Sequence, residues 1–185
     1  MENNKFGHVM IDIETLGLRP DAIILAIAAV EFNLATGEIG RVFNITLDFI
    51  SALAFNRSLD GDTLRFWLNQ PKEVQDVVLL GENRFDKGME HFSSFMQQFD
   101  EDTQIWSNGS NFDLVILKNA AAHLGYLTWM YWQERDVRTL VSLNPSIKDK
   151  ADEFIGSRHN QLHDCLHQIK YCTKIYQSLY ITNPV

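Results

Sequence analysis

Asp12 and Glu14 stand two apart in the segment Val9-Met10-Ile11-Asp12-Ile13-Glu14. Strand alternation puts both acids on one side of an extended chain. An acid among apolar neighbours is costly to bury unless it is paired or holds a metal. A strand with one face in water would carry the same pair as ordinary surface, so the pair alone leaves both readings open. Asp113 follows Trp106-Ser107-Asn108-Gly109-Ser110-Asn111-Phe112, which reads as a strand end, a small-residue loop and a helix start. An Asp in a first helical turn also favours the helix dipole, with no chemistry required. Asn111 either caps that helix or positions a bound molecule, and capping is the favoured reading. Asp164 begins the last helix with His159 just before it, in Arg158-His159-Asn160-Gln161-Leu162-His163-Asp164.

Together these residues say more than each does separately. Four carboxylates are hard oxygen ligands and suit magnesium or manganese rather than zinc. Two such ions about 3.5–4 Å apart can hold the attacking and the leaving oxygen of a phosphodiester. A histidine, with an unperturbed pKa of about 6.5, can take a proton from water at neutral pH. Asp12, Glu14, Asp113 and Asp164 are therefore the candidate ligands of two divalent cations, Mg²⁺ or Mn²⁺. His159 is the candidate base. His159, His163 and His167 recur at intervals of four, a stripe that could suggest a transition-metal site. The His-x-x-x-His spacing is short and the cysteines match no zinc pattern, so His163 and His167 read as surface or packing residues.

The elements that must hold these side chains follow from periodicity. After the first strand come strand-like segments at Ile23 to Phe32 and Arg41 to Leu47, joined by the turn signal Ala35-Thr36-Gly37-Glu38. Asp62-Thr63 can cap a helix running to about Asn69, and a second helix spans Pro71 to Leu80. Phe85 to Phe99 carries Met89, Phe92, Phe95, Met96 and Phe99 at helical spacing. Thr103 to Ser107 reads as a short strand, Asn111 to Leu124 as a helix, Glu134 to Val137 as a short strand and Asn160 to Tyr180 as a long helix. Three sequential strands followed by alternating helices and strands make an α/β domain with one central mixed sheet.

Length and composition agree. The 185 residues suit one domain, residues 1–185, and show no repeat, low-complexity tract or linker. Twelve Phe, four Trp and five Tyr can fill a core. No apolar run approaches the roughly 18 residues that cross a bilayer, and Met1 to Lys5 start no secretory signal. A cytoplasmic protein without a membrane partner is expected. Cys165 and Cys172 fall on one helix with Cα atoms about 10 Å apart, beyond the roughly 7 Å that a disulfide spans, so both are expected reduced. The net charge of −8 argues against broad, nonspecific duplex binding. It does not oppose a grip on a few nucleotides at a strand end, because bound cations would offset the acids.

The chain resembles the DEDDh class of 3′–5′ exonucleases, on a ribonuclease H-like fold. Asp12-Ile13-Glu14-Thr15 with Gly17 matches the first motif, Asn111-Phe112-Asp113 the second, and His159 with Asp164 the third. The resemblance runs from about Val9 to Tyr180. It is closest to a phage and prophage branch called exodeoxyribonuclease VIII-like, itself similar to a bacterial 3′–5′ exoribonuclease group. Thr63 to Pro71, Ile105 to Gly109 and Arg135 to Leu140 carry that likeness. It implies a sheet of about five strands flanked by helices, two Mg²⁺ or Mn²⁺ ions, and release of nucleoside 5′-monophosphates from single-stranded 3′ ends. DNA is slightly favoured over RNA, and a homodimer is expected because dimers are common in related exonucleases. It also implies that Thr15 and Leu16 meet the terminal nucleotide. Phe66 and Trp67 are adjacent on a helix, so one of them can stack on a base; Trp67 is assigned that contact. Arg135, Arg138 and Arg158 read equally as phosphate contacts or surface salt bridges. Two positions depart from the family pattern: Gln161 stands where Ala is frequent, and His163 where acids are. The alternative is a non-catalytic nucleic-acid-binding or regulatory module on the same fold, which the complete set of acids with its histidine argues against.

Overall fold

In the computed structural model residues 6–126, 128–149, 154 and 156–180 are described, so Met1 to Lys5 lie outside the described residues. The three sequential strands are β1 (Gly7–Thr15), β2 (Ile24–Asn33) and β3 (Ile39–Asp48), paired antiparallel in that order. β2 is buried on both faces along nearly its whole length, which its continuous apolar run predicts for an inner strand. The β2–β3 turn is set by Asn33, whose Oδ1 accepts the amides of Ala35 and Thr36 at 2.9 and 3.1 Å. Gly37, at φ 76°, completes it. On the other side of β1 lie β5 (Gln104–Ser107) and then β6 (Glu134–Asp136), both parallel.

The sheet has six strands rather than about five, in the order β4-β3-β2-β1-β5-β6. The extra one, β4 (Asn83–Arg84), is a two-residue edge beside the end of β3. It is too short to leave a periodic signal. Helices cover both faces. On one lie α1 (Phe49–Leu53), α2 (Gly61–Leu68), α3 (Lys72–Leu79), α4 (Phe85–Met96) and α5 (Asp113–His123), packed on Val9, Ile11, Ile13 and Ile105. On the other lie α6 (Val137–Leu143), α7 (Pro145–Asp149) and α8 (Gln161–Tyr180), where α6 and α8 pack on Met10, Ala28, Val30 and Trp106. α1, α6 and α7 were not expected; each is seven residues or fewer, too short for a 3.6-residue period to declare itself. The cap of α2 is Asp60, not Asp62: its Oδ2 accepts the amide of Thr63 at 3.0 Å. Cys165 and Cys172 are both free and buried. Among the described residues no helix is long and apolar enough to cross a membrane.

Candidate active site

Alternation along β1 sends Val9, Ile11 and Ile13 into one core and leaves Met10 and Asp12 facing α8. Asp164, in the first turn of α8, comes down onto the same spot. Carboxylate oxygens of Asp12, Glu14 and Asp164 lie within 4.8 Å of one another. Asp113 arrives from a different direction. β1 and β5 pair only over His8 to Met10, after which β5 ends and the chain turns into α5. The Ile13 amide, between the two β1 acids, is taken instead by Asp113 Oδ1 at 3.3 Å. Four acids from three elements thus meet at the end of β1. Gln168, one turn beyond Asp164, donates its amide to Asp12 Oδ1 at 2.8 Å. It was missed in the sequence, although its i+4 spacing from Asp164 put it on the same helix face.

His159 sits just before α8 with a left-handed backbone, φ 60°. The helix start behind it is fixed by Asn160, whose Oδ1 accepts the amide of His163 at 3.1 Å. The His159 ring meets Phe66 edge-on at 5.2 Å and Trp67 at 6.1 Å. Beside these rings opens a cleft of about 350 Å³ lined by Glu14, Thr15, Leu18, Phe66 and Phe112 among others. Three assignments change here. Leu16 is turned into the core at 1% exposure, and Leu18, at 72%, stands at the cleft in its place. Trp67 borders the cleft but is 2% exposed, with its Nε1 donating to the Thr15 carbonyl at 2.8 Å. Its exposed neighbour Phe66 is the ring available for stacking. Asn111 is exposed and does not cap α5: Phe112 holds the cap position and no side-chain bond is made there. The two departures from the family pattern are accommodated. Gln161 is buried and donates to Asn44 Oδ1 on β3 at 2.8 Å, and His163 Nδ1 accepts the Ser157 amide at 3.1 Å. His167 packs on Phe154 and Tyr171.

Residues 7–176 match the family model described as the 3′–5′ exoribonuclease Rv2179c-like domain. The chain belongs to this family. It is a 3′–5′ exonuclease domain. Solved structures share its fold at low identity. Exonuclease I, in a zinc-bound Escherichia coli complex with single-stranded DNA, is 13% identical, with a TM-score of 0.69, over 95% of this chain and 41% of that one. The Mg²⁺- and Mn²⁺-bound Pop2p of S. pombe is 13% identical with a TM-score of 0.66, over 95% of this chain and 84% of that one. A 3′-exonuclease that recognises the histone mRNA stem-loop is 14% identical with a TM-score of 0.62, over 95% and 84%. The chain spans about two fifths of the exonuclease I chains. Comparison with curated protein sequences gave no match.

The electrostatics of the exonuclease suit a cation. Burial pushes the Asp12 carboxyl well above its usual range, and Asp113, Glu14 and Asp164 push it further, against the Gln168 bond. Glu14 is raised to about 8 by burial and then by Asp164 and Asp113. Burial raises Asp113 to about 7 despite the Ile13 amide. Asp164 is raised by burial, opposed chiefly by His159. Acids crowded in this way hold protons unless positive charge is supplied, and a divalent ion supplies it. The sign for stability follows. From about pH 4.5 to about pH 8 the folded, cation-free protein keeps the Glu14 proton that the unfolded chain releases. Stability therefore falls as pH rises through that window. In a chelator, the melting temperature is expected to fall between about pH 5 and pH 8. Mn²⁺ at about 100 times its Kd should raise it at pH 8 by about 5–10 °C, since such binding is worth about 2.7 kcal/mol. Melting curves that rise with pH and ignore Mn²⁺ would rule out a cation at these acids.

Proposed function

We propose that this domain removes nucleotides one at a time from the 3′ end of a single strand, RNA in preference to DNA, releasing nucleoside 5′-monophosphates. The convergence of Asp12, Glu14, Asp113 and Asp164 beside a cleft bearing Phe66 and Leu18 carries this reading. The acids would hold two divalent ions, Mg²⁺ or Mn²⁺, which supply Lewis-acid charge stabilisation to the scissile phosphate. The chain's own groups do the rest. Phe66 stacks on the terminal base and Leu18 closes against it. Gln168 fixes the rotamer of Asp12. His159 takes a proton from the attacking water as its oxygen bonds to phosphorus. The bond from phosphorus to the 3′-oxygen of the penultimate nucleotide breaks, and that oxygen leaves with a proton from solvent.

Sequence motifs alone lean to DNA. The family description, an exoribonuclease, weighs towards RNA. RNA and DNA strands of one sequence, 5′-labelled so that the shortened products are resolved, test the choice directly. RNA is expected to shorten faster in Mg²⁺ or Mn²⁺, and equal or faster loss from DNA would reverse it. Glu14, Asp60 and Asp62 line the cleft, and among the described residues no basic side chain does. A terminal 3′-phosphate would meet this acidic rim, so phosphorylated ends are expected to react at least about tenfold more slowly. Equal rates on hydroxyl and phosphate ends would exclude this cleft as the seat of the terminal nucleotide.

A further inference from the structure

A chain of net charge −8 with an acidic catalytic centre still has to hold a polyanion beyond its last nucleotide. The cations near the site differ in how far they are already engaged. Arg135 donates Nη1 to the carbonyls of Trp132 and Glu134, and Arg158 lies over the ring of Phe154. Arg138 is exposed, and among the described residues it forms no ion pair or hydrogen bond. Its place is nonetheless fixed. Asp136 accepts the Thr139 amide at 2.9 Å through Oδ1, capping α6, and the Ser110 amide at 2.9 Å through Oδ2. One carboxylate thereby ties the start of α6 to the loop that delivers Asp113.

That tie lays the Arg138 guanidinium against the loop. A Cβ built on Gly109 would lie 3.4 Å from the guanidinium carbon, and Gly109 itself has φ 124°. Glycine there gives the planar group room against the backbone. The charge also reaches the centre, where it counters the burial of Asp113. An exposed guanidinium, anchored by its own helix start and bound to no acid among the described residues, offers a planar fork of donors that matches a phosphate.

We propose that Arg138 binds an internucleotide phosphate of the substrate strand, upstream of the scissile link. This rests on the exonuclease reading above. The contact is to charge, so it adds affinity for strands and not for any base. Arg138 is exposed, so its replacement should leave the fold intact, as a melting curve checks.

The test uses an all-phosphate strand and a set in which one link, the second, third or fourth from the 3′ end, is a neutral methylphosphonate. On the all-phosphate strand Arg138→Ala is expected to lower kcat/KM by about 10- to 100-fold, mainly through KM, as a charge-assisted phosphate contact requires. The slope of log(kcat/KM) against log[salt] should lessen by about 0.7, the value of one phosphate contact on a single strand. Arg138→Lys should recover part of both. At one neutral link the wild type should fall to the level of Arg138→Ala, and the variant should fall no further. An unchanged salt slope, or additive losses at every neutral link, would overturn the assignment while leaving the exonuclease reading intact. A wild type that cleaves no strand in Mg²⁺ or Mn²⁺ would end that reading and this one together.

Discussion

Asp12→Asn is expected to lower kcat by on the order of 10³-fold or more while leaving the cation-free protein at least as stable as the wild type. Both halves come from the same geometry. Asp12 is surrounded by Asp113, Glu14 and Asp164, and its carboxyl is pushed up by burial and by all three. An amide has the same shape and keeps an oxygen to accept the Gln168 bond. It is neutral without taking up a proton, which spares the cation-free fold the cost of protonating a crowded, buried acid, and it weakens the hold on a cation. Each tenfold in rate corresponds to about 1.4 kcal/mol of barrier, so the expected loss is about 4 kcal/mol or more. Single-turnover cleavage of a labelled strand measures the rate, and melting in a chelator measures the stability. The joint outcome is the informative one: sites that gather like charges for function lose activity and gain stability when the charges are removed. A variant as fast as the wild type would dismiss Asp12 as a ligand. One that is slow and also unfolded would make it a structural residue.

How much of this was legible beforehand depended on the distance over which a residue is determined. Asp12 and Glu14 on one side of β1 followed from alternation, and the position of Asp164 in the first turn of α8 followed from helical spacing. The junction with Asp113 did not. It exists because β1 and β5 part after Met10, leaving the Ile13 amide to a carboxylate from a helix start. No local pattern contains that. Leu16 and Leu18 are interchangeable on paper. Backbone bonds from Leu16 N to the Ile23 carbonyl and from Asp60 N to the Leu16 carbonyl decide which one turns inward. Phe66 and Trp67 present the same ambiguity. The indole is buried because its Nε1 finds the Thr15 carbonyl, and the phenyl ring is left beside the cleft. Gln161 stands where Ala is frequent, and Asn44, more than one hundred residues away in sequence, offers its amide an acceptor. Partners of this kind are set by tertiary packing, which a reading of one segment at a time does not reach.

His159→Ala is expected to slow cleavage by on the order of 10²–10⁴-fold with cation binding nearly unchanged, because the ring acts on the water and the ions belong to the carboxylates. His159→Gly makes the test sharper. His159 has φ 60°, a conformation that costs a residue with a Cβ about 1–2 kcal/mol and costs glycine nothing. Both variants lose the ring's edge contacts with Phe66 and Trp67, but only glycine relieves the backbone. His159→Gly should therefore be about 1 kcal/mol more stable than His159→Ala, which for a domain of this size is about 2–4 °C in Tm. The two should be equally slow. If the histidine mattered only by holding the turn before α8, activity would track stability and glycine would be the faster variant. If the imidazole carries the proton, the rates coincide while the melting temperatures separate. Cleavage by His159→Gly approaching that of the wild type would remove His159 from the chemistry and leave the water without a base from this chain.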